Sequence, residues 1–220
     1  MPTSEGSNSW SGDDAGVNDV RVAVLIPVKS FQSAKGRLSG LYSPHERAAL
    51  AARMAAHVIT CAAPLPVAVV CDDDEVAAWA AQHGALVLHE PGRGLNGAVA
   101  AGVEQLRDLG FTRVIVAHSD LPLAGPLAPL GDGHGITIVG DRHGLGTNVL
   151  VIPTDCGFQF AYGSASFSAH MDEAARLGLA VRVVNDAALA LDVDTPDDLR
   201  DALAPGGGAW SGGAWSGPPS

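Results

Sequence analysis

Seven short apolar runs punctuate the chain: "VRVAVLIPV" from Val20, "VAVVCD" from Val67, "ALVLHE" from Ala85, "RVIVAHSD" from Arg113, "ITIVGD" from Ile136, "NVLVIP" from Asn148 and "AVRVVND" from Ala180. They are rich in β-branched residues and mostly apolar at successive positions, which predicts strands covered on both faces. Ala-rich stretches separate most of them and carry helix signals. Ser43-Pro44-His45-Glu46 combines a capping box with Pro at the first helical position and opens a helix predicted to run to about Ala62. Further helices are predicted over Asp74 to His83, Gly97 to Leu109 and Ser166 to Leu177, each followed by a glycine (Gly84, Gly110, Gly178) suited to a left-handed C-terminal cap. Thr195-Pro196-Asp197-Asp198 starts a last helix by the same capping logic. This order predicts the α/β class, with a mostly parallel sheet, helices on both faces, and ligands beyond the carboxyl ends of the strands.

Composition narrows the picture. At 220 residues and 47% hydrophobic content the chain suits one domain with a buried core, expected over residues 20–204. Residues 1–19 and 205–220, rich in Ser and Gly and holding Trp10, Trp210 and Trp215, are expected to be disordered tails. A formal charge of −11 and a pI near 4.9 exclude a general nucleic-acid or anionic-membrane surface, so any phosphate must be held locally. No signal-like N-terminus is present and no apolar run approaches the roughly 20 residues that span a bilayer, so a cytoplasmic location is expected. Cys61, Cys71 and Cys156 form no CxxC pair and read as structural thiols, and the histidines lack zinc-site spacing.

The chain has two lysines, Lys29 and Lys35, against eleven arginines. Both fall in "KSFQSAKGR", directly after the first strand, where with Arg37 they form a cationic loop at the sheet's carboxyl edge. The loop lacks the GxxxxGK[ST] pattern in which backbone N–H groups cradle phosphate, so mobile ammonium groups would have to do the neutralising. A solvated loop is the alternative. Asp120 closes the fourth run, and Asp192 and Asp194 follow the last in "LDVDTPDDL". Alternate residues of an extended segment point the same way, so the latter two can face one ion, and hard carboxylate oxygens suit Mg2+ shared with substrate phosphates. Taken singly, Asp194 also reads as a helix-start residue and Asp192 as a solvated strand end.

Three stretches carry weaker signals. "GRGLNG", Gly92 to Gly97, matches a dinucleotide fingerprint, but it is outside the first βα unit and Pro91 and Arg93 crowd its turn. Asn96 within it offers a donor and an acceptor to a nucleotide base. Thr147 is Gly-flanked at a strand start, and Gly163 precedes a helix with Ser166 in its first turn, where N–H groups and a hydroxyl suit an anion. Ser166 and His170 share a helix face, and ordinary capping explains Ser166 equally well.

Together "PVKSFQSAKGRL", "GLN" at 94–96, "SDLPL", "GLGTN", "YGSASFSAH" and "DVDTPDDL" resemble the phosphoenolpyruvate/2-phospho-L-lactate guanylyltransferase family of coenzyme F-420 biosynthesis, over about residues 21–203. The resemblance implies a Rossmann-like nucleotidyltransferase fold of the nucleotide-diphospho-sugar transferase kind. It places Mg2+ on Asp120, Asp192 and Asp194, and the phosphorylated three-carbon acid on Thr147, Gly163 and Ser166. Lys29, Lys35 and Arg37 would neutralise the GTP triphosphate, with Asn96 near the nucleotide. The implied reaction joins phosphoenolpyruvate to GTP, giving enolpyruvoyl-2-diphospho-5'-guanosine and pyrophosphate, with 2-phospho-L-lactate as the alternative acid. No general base is needed, because a phosphate nucleophile is already ionised at neutral pH. The implied partners are GTP and the acid, without nucleic acid or membrane, and a homodimer is left open. Two other readings stand beside it. A sugar-phosphate or molybdopterin nucleotidyltransferase would usually open with an LxxGxSxRxG-type loop, which is missing; a non-catalytic dinucleotide-binding protein would use "GRGLNG". His118, in "AHSD", has no role in any of these readings.

Overall fold

The computed structural model describes residues 20–204. The tails expected at 1–19 and 205–220 lie outside the described residues. In chain order the elements are β1 (Val22–Pro27), α1 (Pro44–Cys61), β2 (Val67–Cys71), α2 (Asp74–Gln82), β3 (Leu86–His89), α3 (Gly94–Asp108), β4 (Arg113–Ala117), β5 (Ile136–Gly140), β6 (Thr147–Pro153), α4 (Ser166–Arg176), β7 (Val181–Val183) and α5 (Pro196–Ala202). All seven predicted strands form, in one sheet of order β3-β2-β1-β4-β6-β5-β7. Pairings among β1, β2, β3 and β4 and between β5 and β7 are parallel; β6 is antiparallel to both its neighbours. The reversal comes from the short connection 141–146. There the Asp141 carboxylate accepts hydrogen bonds from the N–H groups of His143, Leu145 and Gly146, closing a tight turn. A parallel return needs a crossover of a dozen or more residues.

Period two along each strand divides the core between the two faces. Val24 and Ile26 of β1 pack with Ala55, Val58 and Val76 from α1 and α2, while Leu25 packs with Val103 and Leu106 of α3 on the other face. A third cluster joins Leu38, Met54, Leu191, Val193 and Leu199. It anchors the loop after β1 and the segment before α5 to the same patch of α1, so two stretches far apart in sequence meet at one end of the sheet. Val193 is fully buried there, which turns its neighbours Asp192 and Asp194 the other way.

The helix signals hold at most ends. Ser43 Oγ accepts from the Glu46 N–H at 3.3 Å and the Glu46 carboxylate accepts from the Ser43 N–H at 2.8 Å, a complete capping box. Gly84, Gly110 and Gly178 have φ of 75°, 85° and 66°, the left-handed caps expected. Helix α3 starts at Gly94, three residues before the predicted start. The carboxylate of Glu90, held by Arg93 at 2.6 Å and by Gln105 at 2.6 Å, ties the turn to the helix body and lets the glycines join it. No helix among the described residues is long and apolar enough to cross a membrane.

Candidate functional site

Beyond β1 the chain folds back over the carboxyl ends of the strands. Phe31 is buried and meets Trp79 edge-on at 5.1 Å, and Leu38 is fully buried; between these anchors Lys35 adopts φ 55°. A left-handed non-glycine residue costs about 1–2 kcal/mol, and here the side chain's contacts offset it. Lys35 Nζ donates to Asp120 Oδ2 at 2.6 Å and to Asp194 Oδ1 at 3.2 Å, with only 8% of the side chain exposed. Arg37 reaches Asp194 Oδ2 at 3.4 Å from a position that is 73% exposed. Lys29 is exposed on the rim of the same cleft, about 330 Å³ in volume, which His118, Asp120 and Asp194 also line.

Asp120 follows β4, whereas Asp192 and Asp194 precede α5, and the Val193 N–H donates to the Asp120 carbonyl at 3.2 Å. One carboxylate oxygen from each of the three acids lies within 4.8 Å of the others. Two further sets of contacts hold this geometry. Asn148 donates its amide to Leu189 O at 3.0 Å and to Asp192 Oδ1 at 3.4 Å. Asp198 Oδ2 accepts from the N–H groups of Asp194 and Thr195 at 3.1 and 2.8 Å, and Arg142 grips Asp198 at 3.2 Å and Asp201 at 2.7 Å. Burial lifts the Asp192 carboxyl above the usual range, and the charge of Asp120 adds to it. Burial acts upward on Asp120 too, but the Lys35 ammonium, with His118, holds it below the ordinary value. Burial opposes the Lys35 charge, and the carboxylates of Asp120 and Asp194 outweigh it, raising its pKa.

The cluster suits a divalent cation. Asp120 Oδ1 is buried without a partner, so one hard oxygen is already stripped of water and unpaired. Three carboxylates outnumber the Lys35 ammonium and the Arg37 guanidinium that meet them, and the donor set is all oxygen, the preference of Mg2+.

The residues expected to bind the acid lie on β6 and around the start of α4. Thr147 is buried at the start of β6, and His170 Nδ1 is 3.1 Å from its Oγ. The Ala161 N–H donates to His170 Nε2 at 3.1 Å, which assigns the ring proton to Nδ1. His170 therefore donates to Thr147, and the Thr147 hydroxyl proton is left to donate elsewhere. Burial, with the charge of His118, pushes His170 down to about 4, so the ring is neutral. Ser166 is the first residue of α4 and is buried; the cap position belongs to Ala165, so capping does not account for Ser166. Gly163 lies exposed just before it, and its carbonyl accepts the Ser166 N–H at 3.2 Å, while the Phe167 N–H goes to Leu145 O at 3.0 Å. Two of the first-turn donors are thus already used.

Asn96 sits in the first turn of α3 with both ends of its amide engaged: Oδ1 accepts from the Tyr162 N–H at 2.7 Å and Nδ2 donates to Tyr162 O at 3.3 Å. It clamps the loop that carries Gly163. Gly94 and Leu95 of "GRGLNG" border a smaller hollow of about 200 Å³ at the ends of β1 to β3, shared with Lys29, Asp72 and Glu90. The structure thus brings Lys35, Arg37 and the three aspartates together, with Lys29 on the rim of the cleft that Lys35, Asp120 and Asp194 line, while Thr147, Gly163 and Ser166 lie on β6 and around the start of α4. Sequence reasoning missed Asn148, Arg142 and the link from Asp198 to Asp194; only the last had a signal, the capping box of "DTPDD".

Comparison with known proteins identifies relatives of the chain. The family model described as "Guanylyl transferase CofC like" matches residues 22–212. A phosphoenolpyruvate guanylyltransferase of Conexibacter woesei is 38% identical over 191 residues, 81% of this chain and 85% of its own. A 2-phospho-L-lactate guanylyltransferase of Methanothermobacter thermautotrophicus is 36% identical over 200 residues, 86% and 87% of the two chains. Among solved structures, a proposed nucleotide-diphospho-sugar transferase from Desulfovibrio desulfuricans G20 superposes with a TM-score of 0.65 at 19% identity, covering 81% of this chain and 84% of that one. A nucleotidyl transferase from Methanothermobacter thermautotrophicus gives 0.56 at 15% identity, covering 82% and 95%. The structural likenesses establish the nucleotidyltransferase fold. The family match and the two relatives, which span most of both chains, establish more: the protein belongs to the CofC-like guanylyltransferase family.

Proposed function

We propose that the protein condenses phosphoenolpyruvate with GTP, releasing pyrophosphate, and that Asp120, Asp192 and Asp194 hold Mg2+ for this reaction. The observation that carries the proposal is the Lys35 ammonium paired with Asp120 and Asp194 where three carboxylates converge; the hydroxyls of Thr147 and Ser166 lie on β6 and at the start of α4. Relatives named for phosphoenolpyruvate and for 2-phospho-L-lactate both match, so the second acid is the alternative substrate.

The chemistry is a displacement at phosphorus. A phosphate oxygen of the acid forms a bond to the α-phosphorus of GTP, the bond from that phosphorus to the bridging oxygen breaks, and pyrophosphate leaves with the electron pair. Two anions must meet, so neutralising charge is the main task. Bound Mg2+ would supply charge neutralisation between the phosphates. Thr147, with its proton free to donate, and Ser166 orient the acid; Asn96 fixes the loop bearing Gly163. Lys29 and Lys35, on flexible stems, follow the charge that develops on pyrophosphate, and Arg37 lies close enough to add to it.

The test is a pyrophosphate-release assay of each acid with GTP, ATP, CTP and UTP, with Mg2+ or with EDTA. The expected result is turnover with phosphoenolpyruvate and GTP that EDTA abolishes. Preference for 2-phospho-L-lactate would reassign the acid, and full turnover in EDTA would remove the metal.

A further inference from the structure

His118 is the feature of the cleft that this account leaves unused. It follows β4 two residues before Asp120, and its N–H donates to the Asn148 carbonyl at 2.9 Å, extending the β4–β6 pairing so that His118 lies next to the Thr147–Asn148 pair. Its ring lines the cleft with Lys35 and Asp120 and lies 5.3 Å from the Tyr162 ring, which in turn meets His170 edge-on at 4.8 Å. His170 is the residue bonded to Thr147. The His118 ring therefore lines the cleft of the carboxylate cluster and is linked to Thr147 through Tyr162 and His170.

Nε2 of His118 is buried and has no hydrogen-bond partner. An unpaired buried ring nitrogen lowers stability, and folded proteins retain few such atoms. If the ring served only to pack against Tyr162, an apolar side chain would do so without that cost.

We propose that His118 Nε2–H donates to an anionic oxygen of the three-carbon phosphoacid, making His118 a substrate-binding residue. The proposal rests on the phosphoacid reading given above. The donor state is the one that suits the site, since the acid carries a carboxylate and a phosphate and Asp120, which lines the same cleft, is also anionic. The acid is favoured over the nucleotide because the ring faces Tyr162 and the Thr147 side, whereas the smaller hollow beside Lys29 opens at the ends of β1 to β3.

The experiment uses the full chain with Mg2+ and measures phosphoenolpyruvate and GTP affinity by calorimetry, together with the thermal midpoint, for wild type, H118F and H118Q. Phe keeps the ring against Tyr162 and removes the nitrogen; Gln returns an amide donor near Nε2. H118F is expected to bind the acid about 10- to 100-fold more weakly, the scale of one hydrogen bond to a charged group. It should bind GTP within about twofold of wild type and melt no lower than wild type, because it deletes an unpaired buried atom. H118Q should recover part of the acid affinity. Acid binding by H118F equal to wild type overturns the proposal. So does an equal loss of acid and GTP with a lowered midpoint, which would mark a packing role. Should H118F fail to fold, H118L supplies the same comparison. If wild type binds neither phosphoenolpyruvate nor 2-phospho-L-lactate, the phosphoacid reading itself fails and this proposal with it.

Discussion

Replacing Lys35 by Met keeps the aliphatic stem and removes only the charge, so it tests whether the ammonium holds the carboxylate cluster together. Removing one partner of a buried ion pair costs about 3–5 kcal/mol. Asp120 keeps 21% of its side chain in contact with solvent and Asp194 keeps 49%, which places this case at the lower end, about 3 kcal/mol. For a chain of this length each kcal/mol moves the midpoint by about 2–4 °C, so K35M should melt about 6–12 °C below wild type at pH 7 in EDTA. The pH dependence follows from the two shifts. The raised Lys35 pKa gives stability that is complete below the ordinary lysine range, near 10.4, and is lost as pH rises through the higher folded value. The lowered Asp120 pKa gives stability present above the ordinary range, near 3.9, and lost as pH falls through the lower folded value. The gap between mutant and wild type should be flat across neutral pH and close at both extremes. Mg2+ should raise the mutant midpoint more than that of wild type, because in wild type the ammonium competes for the same oxygens. The mutant should therefore bind Mg2+ more tightly and yet turn over about 10²- to 10³-fold more slowly, since the charge needed at the departing pyrophosphate is gone. Melting within about 2 °C of wild type in EDTA would refute the argument that this pair is a structural ion pair.

Asp192→Asn and Asp194→Asn should each lose most turnover while keeping a native circular dichroism spectrum. Because burial and Asp120 raise the Asp192 pKa, its ionised form destabilises the fold at neutral pH, so D192N should melt at or above wild type; a lower midpoint contradicts this. Arg142→Leu releases Asp198 and Asp201 and should raise the Mg2+ concentration for half-maximal turnover by about tenfold, with kcat at saturating Mg2+ little changed; an unchanged requirement would show that the Asp194 segment is held without it. His170, with a folded pKa of about 4 against an ordinary value near 6.5, binds a proton in the unfolded chain first, so stability should fall by about 3 kcal/mol between pH 6.5 and 4. H170Q should flatten that part of the melting-versus-pH curve, and an unaltered curve would assign the loss to other groups.

The sheet was readable because strands buried on both faces leave uninterrupted apolar runs, and seven of them are present. The direction of β6 was not read, although "DRHGLG" between β5 and β6 is too short for a crossover and carries the Gly signals of a tight turn. The aspartates were readable one by one from their places after apolar runs. Their convergence with Lys35 was not, because it depends on the left-handed turn at Lys35 and on Leu38 and Val193 sharing one buried cluster, a contact between residues far apart in sequence. Asn96 shows a different limit. An amide that offers one donor and one acceptor suits a base edge and a peptide group equally, and in the fold it meets the Tyr162 peptide. Arg142 gave no sequence signal, since its bond to Asp198 forms only when the β5–β6 turn packs on α5.

A chain with eleven arginines that keeps lysine only at 29 and 35 also bears on how an acidic protein handles a triphosphate. An arginine at position 35 would meet Asp120 and Asp194 with a planar fork, a bidentate arrangement that resists exchange. An ammonium is a point charge on a flexible stem and leaves two oxygen atoms with less geometric penalty. In the proposed reaction the three carboxylates that surround the ammonium would hold the cation, which would free the ammonium for phosphate. The exchange would set two positive charges at the carboxylates in place of one. Beyond the roughly 8 Å screening length at physiological salt, most of the net charge of −11 has little influence on that exchange. Affinity for an anionic nucleotide then depends on a few mobile charges in one cleft, and the two lysines are placed where exchange between partners is required.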